Sequence, residues 1–307
     1  MKIFCDYVGH FDLLYSLFAT LSKRLGHEMS VPNHDRSWAE KHNLYNIHSE
    51  SLRNALKGFR YLSHEEFIKE DFDIVICTAE LNEKPMKKLF DDHGSCRSFV
   101  RHIGNLWEQP LVAKNVMAAI MHPMKDDLNI LHYIPEHPGY FSPKIHNKSN
   151  ELFALDNYTL NYEISKNTFN EIKKNLKNTK AIIRPFSSDH KNLVSWFNRS
   201  KAYVHLKANG GCGFTLREAL FCAIPVIVNM SFVYSHFTIP TKFLKDGVNC
   251  IDFDTKLRPF EQSMEVLEDW LDPAHYQKRC WDAVSYSKLK INFEKESKSV
   301  NKWINKL

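Results

Sequence analysis

The stretch Lys201–Asn229, KAYVHLKANGGCGFTLREALFCAIPVIVN, decides how this chain of 307 residues is read. Tyr203-Val204-His205-Leu206 has the β-rich make-up of a short buried strand and is bounded by polar residues. Gly210-Gly211-Cys212-Gly213 breaks it with a loop free to take backbone angles that other residues avoid. Thr215 can cap a helix running to about Phe221, with Leu216, Ala219 and Leu220 on one face. Pro225 stops that helix, and Val226-Ile227-Val228 makes a second buried strand. Strand, glycine loop, helix, strand is one unit of a parallel α/β sheet.

Such a loop has a chemical use. A glycine-rich turn opening a helix presents unpaired N–H groups and the positive end of the helix dipole, which suits a phosphate or another anion. Glu218, in the first turns of the helix, can face the same crevice and accept two hydroxyl hydrogen bonds from a ribose. The bland alternative is an ordinary strand–helix turn with a solvated glutamate. The wording of the segment bears on that choice. The segment G-F-T-L-R-E-A-L-F-C-A-I-P-V-I, residues 213–227, resembles the donor site of retaining GT-B glycosyltransferases, whose pattern Gly213, Phe214, Thr215, Glu218, Ala219 and Pro225 match position by position. The resemblance implies that Glu218 binds the nucleotide ribose and that Gly213, Phe214 and Thr215 lie against the sugar and diphosphate. The family's loop usually carries a further Glu before the ribose Glu, and here Gly211 stands in its place. That residue often contacts the donor sugar, so the departure bears on sugar choice and on turnover. A second stretch, Phe243-Leu244-Lys245-Asp246-Gly247-Val248-Asn249-Cys250, resembles the Asp-Gly-x-Asn turn that follows the donor loop in the family.

Length and composition agree with this reading. The chain can hold two α/β domains of ordinary size, and its 43% hydrophobic and 25% charged residues are those of a globular protein. A net charge of +5 permits an anionic partner without requiring one. The seven cysteines are odd in number and contain no CxxC pair, which suggests free thiols in a reducing compartment and no structural zinc. With no signal-peptide pattern and no apolar run of membrane-spanning length, the expected location is cytoplasmic, with no transmembrane segment.

Taken in order, Lys2–Cys5 predicts a strand, Asp6–His10 a loop, and Phe11 to Leu25 a helix ended by Gly26. This opening resembles the start of many GT-B enzymes. Residues 35–70 are polar, partly helical and without a motif. Strands are predicted at Phe72–Cys77, Ser98–Ile103 and Asn115–Ile120, with a helix over Leu81–Phe90. Alternation of this kind indicates a doubly wound parallel sheet. Prolines crowd His122 to Pro143 around the strand-like Asn129–Ile134, which marks the connection between domains. The predicted domains are 1–144, an acceptor domain, and 145–307, a donor domain. The last helix, about 293–307, can cross back onto the first domain, as it often does in GT-B proteins. Ala181–Arg184 reads as a strand and Asp189–Arg199 as a helix.

The expected fold is therefore α/β, two Rossmann-like domains facing across a cleft, the GT-B architecture. The expected activity is transfer of a sugar from a nucleotide-sugar, a UDP-sugar by preference, to a hydroxyl acceptor with retention and without a metal. Departure of the diphosphate needs its growing charge neutralised, for which Lys207 and Arg184 are the candidates. His10 in the first loop and His102 at a strand's carboxyl end are candidates to act on the acceptor hydroxyl. Asn105 and Asn209 can hydrogen-bond sugar hydroxyls. The Asp71-Phe72-Asp73 triplet has the letters of a metal loop but lies at the start of a strand, away from the sheet's functional end, so no metal is expected, and no cofactor beyond the nucleotide-sugar co-substrate. The acceptor is left open among a glycan, a small molecule and DNA bearing hydroxymethylated bases. A rival reading is a nucleotide-sugar-binding protein without turnover. A nicotinamide-dependent enzyme is disfavoured, since the first loop lacks G-x-G-x-x-G.

Overall fold

The computed structural model describes residues 1–6, 16–32, 58–77, 91, 96, 98–103, 114–118, 128–134, 136, 142–145, 148–156, 159–160, 162–185, 190–207, 215–236 and 239–307. The chain divides into two compact units, one made of Met1–Pro138 with Asn292–Leu307 and the other of Gly139–Ile291.

The first unit is built on seven parallel strands: β1 (Lys2–Asp6), β2 (Glu28–Pro32), β3 (Arg60–Leu62), β4 (Ile74–Cys77), β5 (Ser98–Ile103), β6 (Asn115–Ala118) and β7 (Asn129–His132). Their order is β3-β2-β1-β4-β5-β6-β7. All four residues of β4 are buried, as expected for a central strand covered on both faces. On one side Phe4, Phe67, Phe72, Val75 and Phe99 form a compact cluster, with the Phe4 and Phe67 rings 4.2 Å apart. Helix α1 (His64–Lys69) is started by a capping box, in which Ser63 Oγ accepts from Glu66 N and Glu66 Oε2 accepts from Ser63 N.

Two expectations change here. Asn129–Ile134, expected within the domain connection, supplies the edge strand β7 of this sheet, paired in register with β6. Nothing in the sequence marked β3, a three-residue edge strand with a single buried side chain and no period to detect. The helix expected from Phe11 is described from Ser16 and winds as a π-helix over Phe18–Arg24. It ends at Gly26, whose φ of +71° only glycine adopts without strain. The helix expected over Leu81–Phe90 lies outside the described residues.

The second unit carries β8 (Glu151–Leu155), α2 (Glu163–Asn175), β9 (Lys180–Arg184), α3 (His190–Arg199), β10 (Ala202–His205), α4 (Thr215–Phe221), β11 (Val226–Val228), α5 (Met230–His236), β12 (Cys250–Asp252), α6 (Phe260–Leu271) and α7 (Pro273–Lys290). Its parallel strands run β12-β11-β10-β8-β9. The chain thus goes outward from β8 to β9, returns past β8 to β10, and continues the other way. Strand order reverses between β8 and β10, where open α/β sheets bind ligands at the carboxyl ends of their strands. One face is packed by Leu152, Ala154, Phe169, Val204, Ile227 and Leu267. Phe153, Phe197 and Tyr203 fill the other.

Lys148 donates from Nζ to the Phe197 carbonyl at 3.0 Å. Burial pushes its ammonium down to about 8, an effect that the nearby Cys280 and Cys222 sulfurs only partly offset. In the unfolded chain Lys148 keeps an ordinary lysine pKa, so between about pH 8 and 10 the unfolded state binds more protons and stability rises with pH. Lys148→Met should therefore melt higher than the natural chain at pH 7, by about 2 kcal/mol, with the gap closing towards pH 10. Parallel thermal melts at pH 7, 8, 9 and 10 check this; a gap that does not depend on pH would refute it.

The last helix, α8 (Phe293–Ile304), belongs to the first unit. Glu296 accepts the backbone N–H of Ile134 at 3.0 Å, and Trp303 Nε1 donates to Asn129 Oδ1 at 3.0 Å. Val300 and Ile304 are buried beside them.

Candidate functional site

The carboxyl ends of β8 and β10 are Leu155-Asp156 and His205-Leu206-Lys207. The chain leaves β10 at Lys207, a half-buried position, and is next described at Thr215, the first residue of α4. Asn209, Gly213 and Phe214 fall in the intervening loop, outside the described residues, as do His10 and Asn105.

Every residue of α4 from Thr215 to Leu220 is buried, including Arg217 and Glu218. Leu216, Ala219 and Leu220, the apolar positions expected on one face, are all buried. Glu218 is 2% exposed, one turn into the helix that follows β10. Below it the Cys222 thiol is pushed up to about 12 by burial, which makes it an inert packing group. Thr215 is 5% exposed, and its Oγ1 accepts from Tyr203 Oη at 3.2 Å. Tyr203 Oη in turn lies 3.3 Å from Nδ1 of His205. Tyr203 and His205 carry no motif. The only trace of them in the sequence is that they lie two apart in a strand and so share a face.

Two candidates are engaged elsewhere. Arg184 ends β9, but its guanidinium folds back over the rings of Phe153 and Trp196 to Glu151, 2.5 Å from Oε1. Glu151 is the first residue of β8 and pairs with the first of β9, so Arg184 points to the amino end of the sheet, away from the carboxyl edge. His102 is the penultimate residue of β5 and 1% exposed, with Nε2 2.7 Å from the hydroxyl of the wholly buried Tyr133. It is placed as a core residue spanning the face of β6.

Acidic residues crowd the far end of the same edge and are consumed by structure. Asp252 Oδ1 accepts from Met230 N at 3.0 Å and Asp254 Oδ2 from Ser231 N at 3.1 Å, which satisfies the first turn of α5. Burial raises the pKa of Asp252, against the lowering effect of the N–H groups of Met230 and Asp254. Asp246 accepts from Asp252 N and pairs with Arg258 at 3.0 Å. Among the described residues no group of three or more His, Cys, Asp or Glu could hold a metal ion. Asp73 of the Asp-Phe-Asp triplet accepts the backbone N–H of Lys2. No helix among the described residues is long and apolar enough to cross a membrane.

No protein-family model matches the chain, and no curated protein matches it in sequence. Solved structures do match. One is an alpha-glucosyltransferase in complex with UDP-glucose and DNA containing an abasic site, with a TM-score of 0.63 and 11% identity over 99% of this chain and 98% of that one. The lipopolysaccharide outer core galactosyltransferase WaaB matches with a TM-score of 0.60 and 13% identity over 100% of both chains. HepE of Anabaena, in complex with UDP and glucose, matches with a TM-score of 0.61 and 8% identity, again over 100% of both. At these identities the likeness is one of fold, and that fold is GT-B, built from two Rossmann-like α/β units in one chain.

Proposed function

We propose that the protein is a glycosyltransferase that moves a sugar from a UDP-sugar to a hydroxyl acceptor. One observation carries the reading. The donor-like segment Gly213–Ile227 leads from β10, beside which the strand order of the second sheet reverses, through α4 to β11. A motif and a topology that point to the same edge support each other. Glu218 accepts the two ribose hydroxyls, and Thr215 with Gly213 and Phe214 holds the diphosphate and sugar. Lys207 supplies positive charge as the diphosphate leaves, a transition-state demand that a preplaced cation meets without reorganisation. Asn209 is available to a sugar hydroxyl. Transfer proceeds with retention, and charge neutralisation rests on these side chains and loop amides without a metal.

DNA is the acceptor to test first, because one of the full-length structural matches is an alpha-glucosyltransferase in complex with DNA, and this chain is net basic. Duplex DNA binding that weakens linearly in log–log terms with salt supports that acceptor. Binding that is absent at low salt removes it and leaves a glycan or a small molecule.

The donor reading is tested by thermal shift with UDP-, GDP-, ADP- and CMP-sugars, with and without EDTA. Ligand at a hundred times its dissociation constant should stabilise the fold by about 2.7 kcal/mol. A shift with UDP-sugars that survives EDTA is the expected result. No shift with any nucleotide would refute the proposal. A shift without transfer or donor hydrolysis would make the protein a binder with no turnover.

A further inference from the structure

Tyr203 lies in the middle of β10 with none of its surface exposed. The rings of Phe153 and Phe197 stand 5.1 and 5.2 Å from its own. A phenylalanine would fill that nest as well, so the hydroxyl calls for a separate account. It reaches past the nest to Thr215 Oγ1 at 3.2 Å and to His205 Nδ1 at 3.3 Å. All three residues are at most 5% exposed. With Tyr203 donating to Thr215, the oxygen of Tyr203 accepts the Nδ1–H of His205. The proton of Thr215 is then left for an acceptor other than Tyr203.

We propose that Tyr203 and His205 are positioning residues for a nucleoside diphosphate, forming a buried chain of donors that sets the Thr215 hydroxyl towards the diphosphate. This rests on the donor reading above. A threonine hydroxyl otherwise rotates, and fixing it before the ligand arrives removes an ordering cost from binding. Successive hydrogen bonds polarise one another, and the last one, to a phosphate oxygen, is charge-assisted. Neither residue touches the ligand; both act through Thr215.

Calorimetric titration of the full chain with UDP and with uridine tests this. Tyr203→Phe and His205→Phe should each weaken UDP about tenfold and leave uridine within about twofold, since only UDP carries the phosphates. Adding Tyr203→Phe to Thr215→Val should cost nothing further, because the hydroxyl it orients is already gone. His205→Asn, which keeps a donor near the Nδ1 position, should retain the UDP affinity that His205→Phe loses. The proposal is overturned if Tyr203→Phe binds UDP like the natural chain, or if UDP and uridine weaken in proportion. Should Tyr203→Phe fail to fold, the His205 pair decides, and equal UDP affinities for Asn and Phe overturn it. A natural chain that binds neither UDP nor uridine removes the donor reading and the chain of donors with it.

Discussion

Asn249→Ala is expected to destabilise the second unit by about 3–5 kcal/mol, the sum of two to three lost buried hydrogen bonds. Asn249 is 0% exposed, and its side chain fastens three separate pieces of backbone and helix. Its Oδ1 accepts from Lys245 N at 2.8 Å, while Nδ2 donates to the Phe243 carbonyl at 2.8 Å and to Ser287 Oγ in α7 at 2.9 Å. Alanine leaves the Phe243 carbonyl and Lys245 N–H without that partner, and desolvated groups so stranded are expensive. Ser287 keeps its bond to the Ala283 carbonyl, so the loss does not spread along α7. Gly247, with φ of +72°, still permits the turn, which makes the defect one of fastening rather than of chain path. Urea unfolding should show an earlier midpoint with little change in slope, and the melting temperature should drop by about 10 °C. A loss under about 1 kcal/mol would mean that the β11–β12 pairing alone holds the turn.

Glu218→Ala should lower UDP affinity by about a hundredfold or more, since two hydrogen bonds to a carboxylate contribute about 1.5 kcal/mol or more each. Glu218→Gln keeps the shape of the side chain and one acceptor, and should lose about tenfold. A ligand lacking the 2′-hydroxyl separates ribose recognition from general damage. The natural chain should discriminate UDP from 2′-deoxy-UDP by about tenfold, and Glu218→Ala should bind the two alike. Because Glu218 is 2% exposed, both variants need melting curves without ligand beside the titrations. If Glu218→Ala binds UDP unchanged, Glu218 is a buried structural carboxylate, and the donor site must be sought elsewhere on the sheet edge.

What the sequence made legible, and what it did not, divides by the range of the forces involved. β10, α4 and β11 follow from neighbours a few positions apart: an apolar run, a capping threonine, a helical stripe and a proline. β4 and β5 were equally plain. β3 and β12 are as short as β11 but have no proline beside them to mark a boundary, and they are held in place by their partner strands. The winding of Phe18–Arg24 into a π-helix leaves no local signature either. For the proposed site, the resemblance singles out Thr215 and Glu218, while the hydroxyl and imidazole behind Thr215 carry no sequence signal. Their contact joins positions twelve apart across a strand and the helix after it. Arg184 shows the converse. Its place at a strand end was legible, but a long side chain can turn either way, and Glu151 with two aromatic rings turned it back.

The assignment of Asn292–Leu307 to the first unit has a consequence for biogenesis. Gly139–Ile291 is one uninterrupted segment, able to fold once it has cleared the ribosome exit. Met1–Pro138 is made earlier, yet it must wait for the whole second unit to be translated before α8 arrives. At 5–20 residues per second, that is a delay of about 8–30 s. During it, β7 lacks the Trp303–Asn129 bond, and the backbone of Ile134 lacks Glu296. The half of the protein synthesised first is thus the half completed last, and nascent chains stalled short of residue 292 should recruit chaperones to their amino-terminal part.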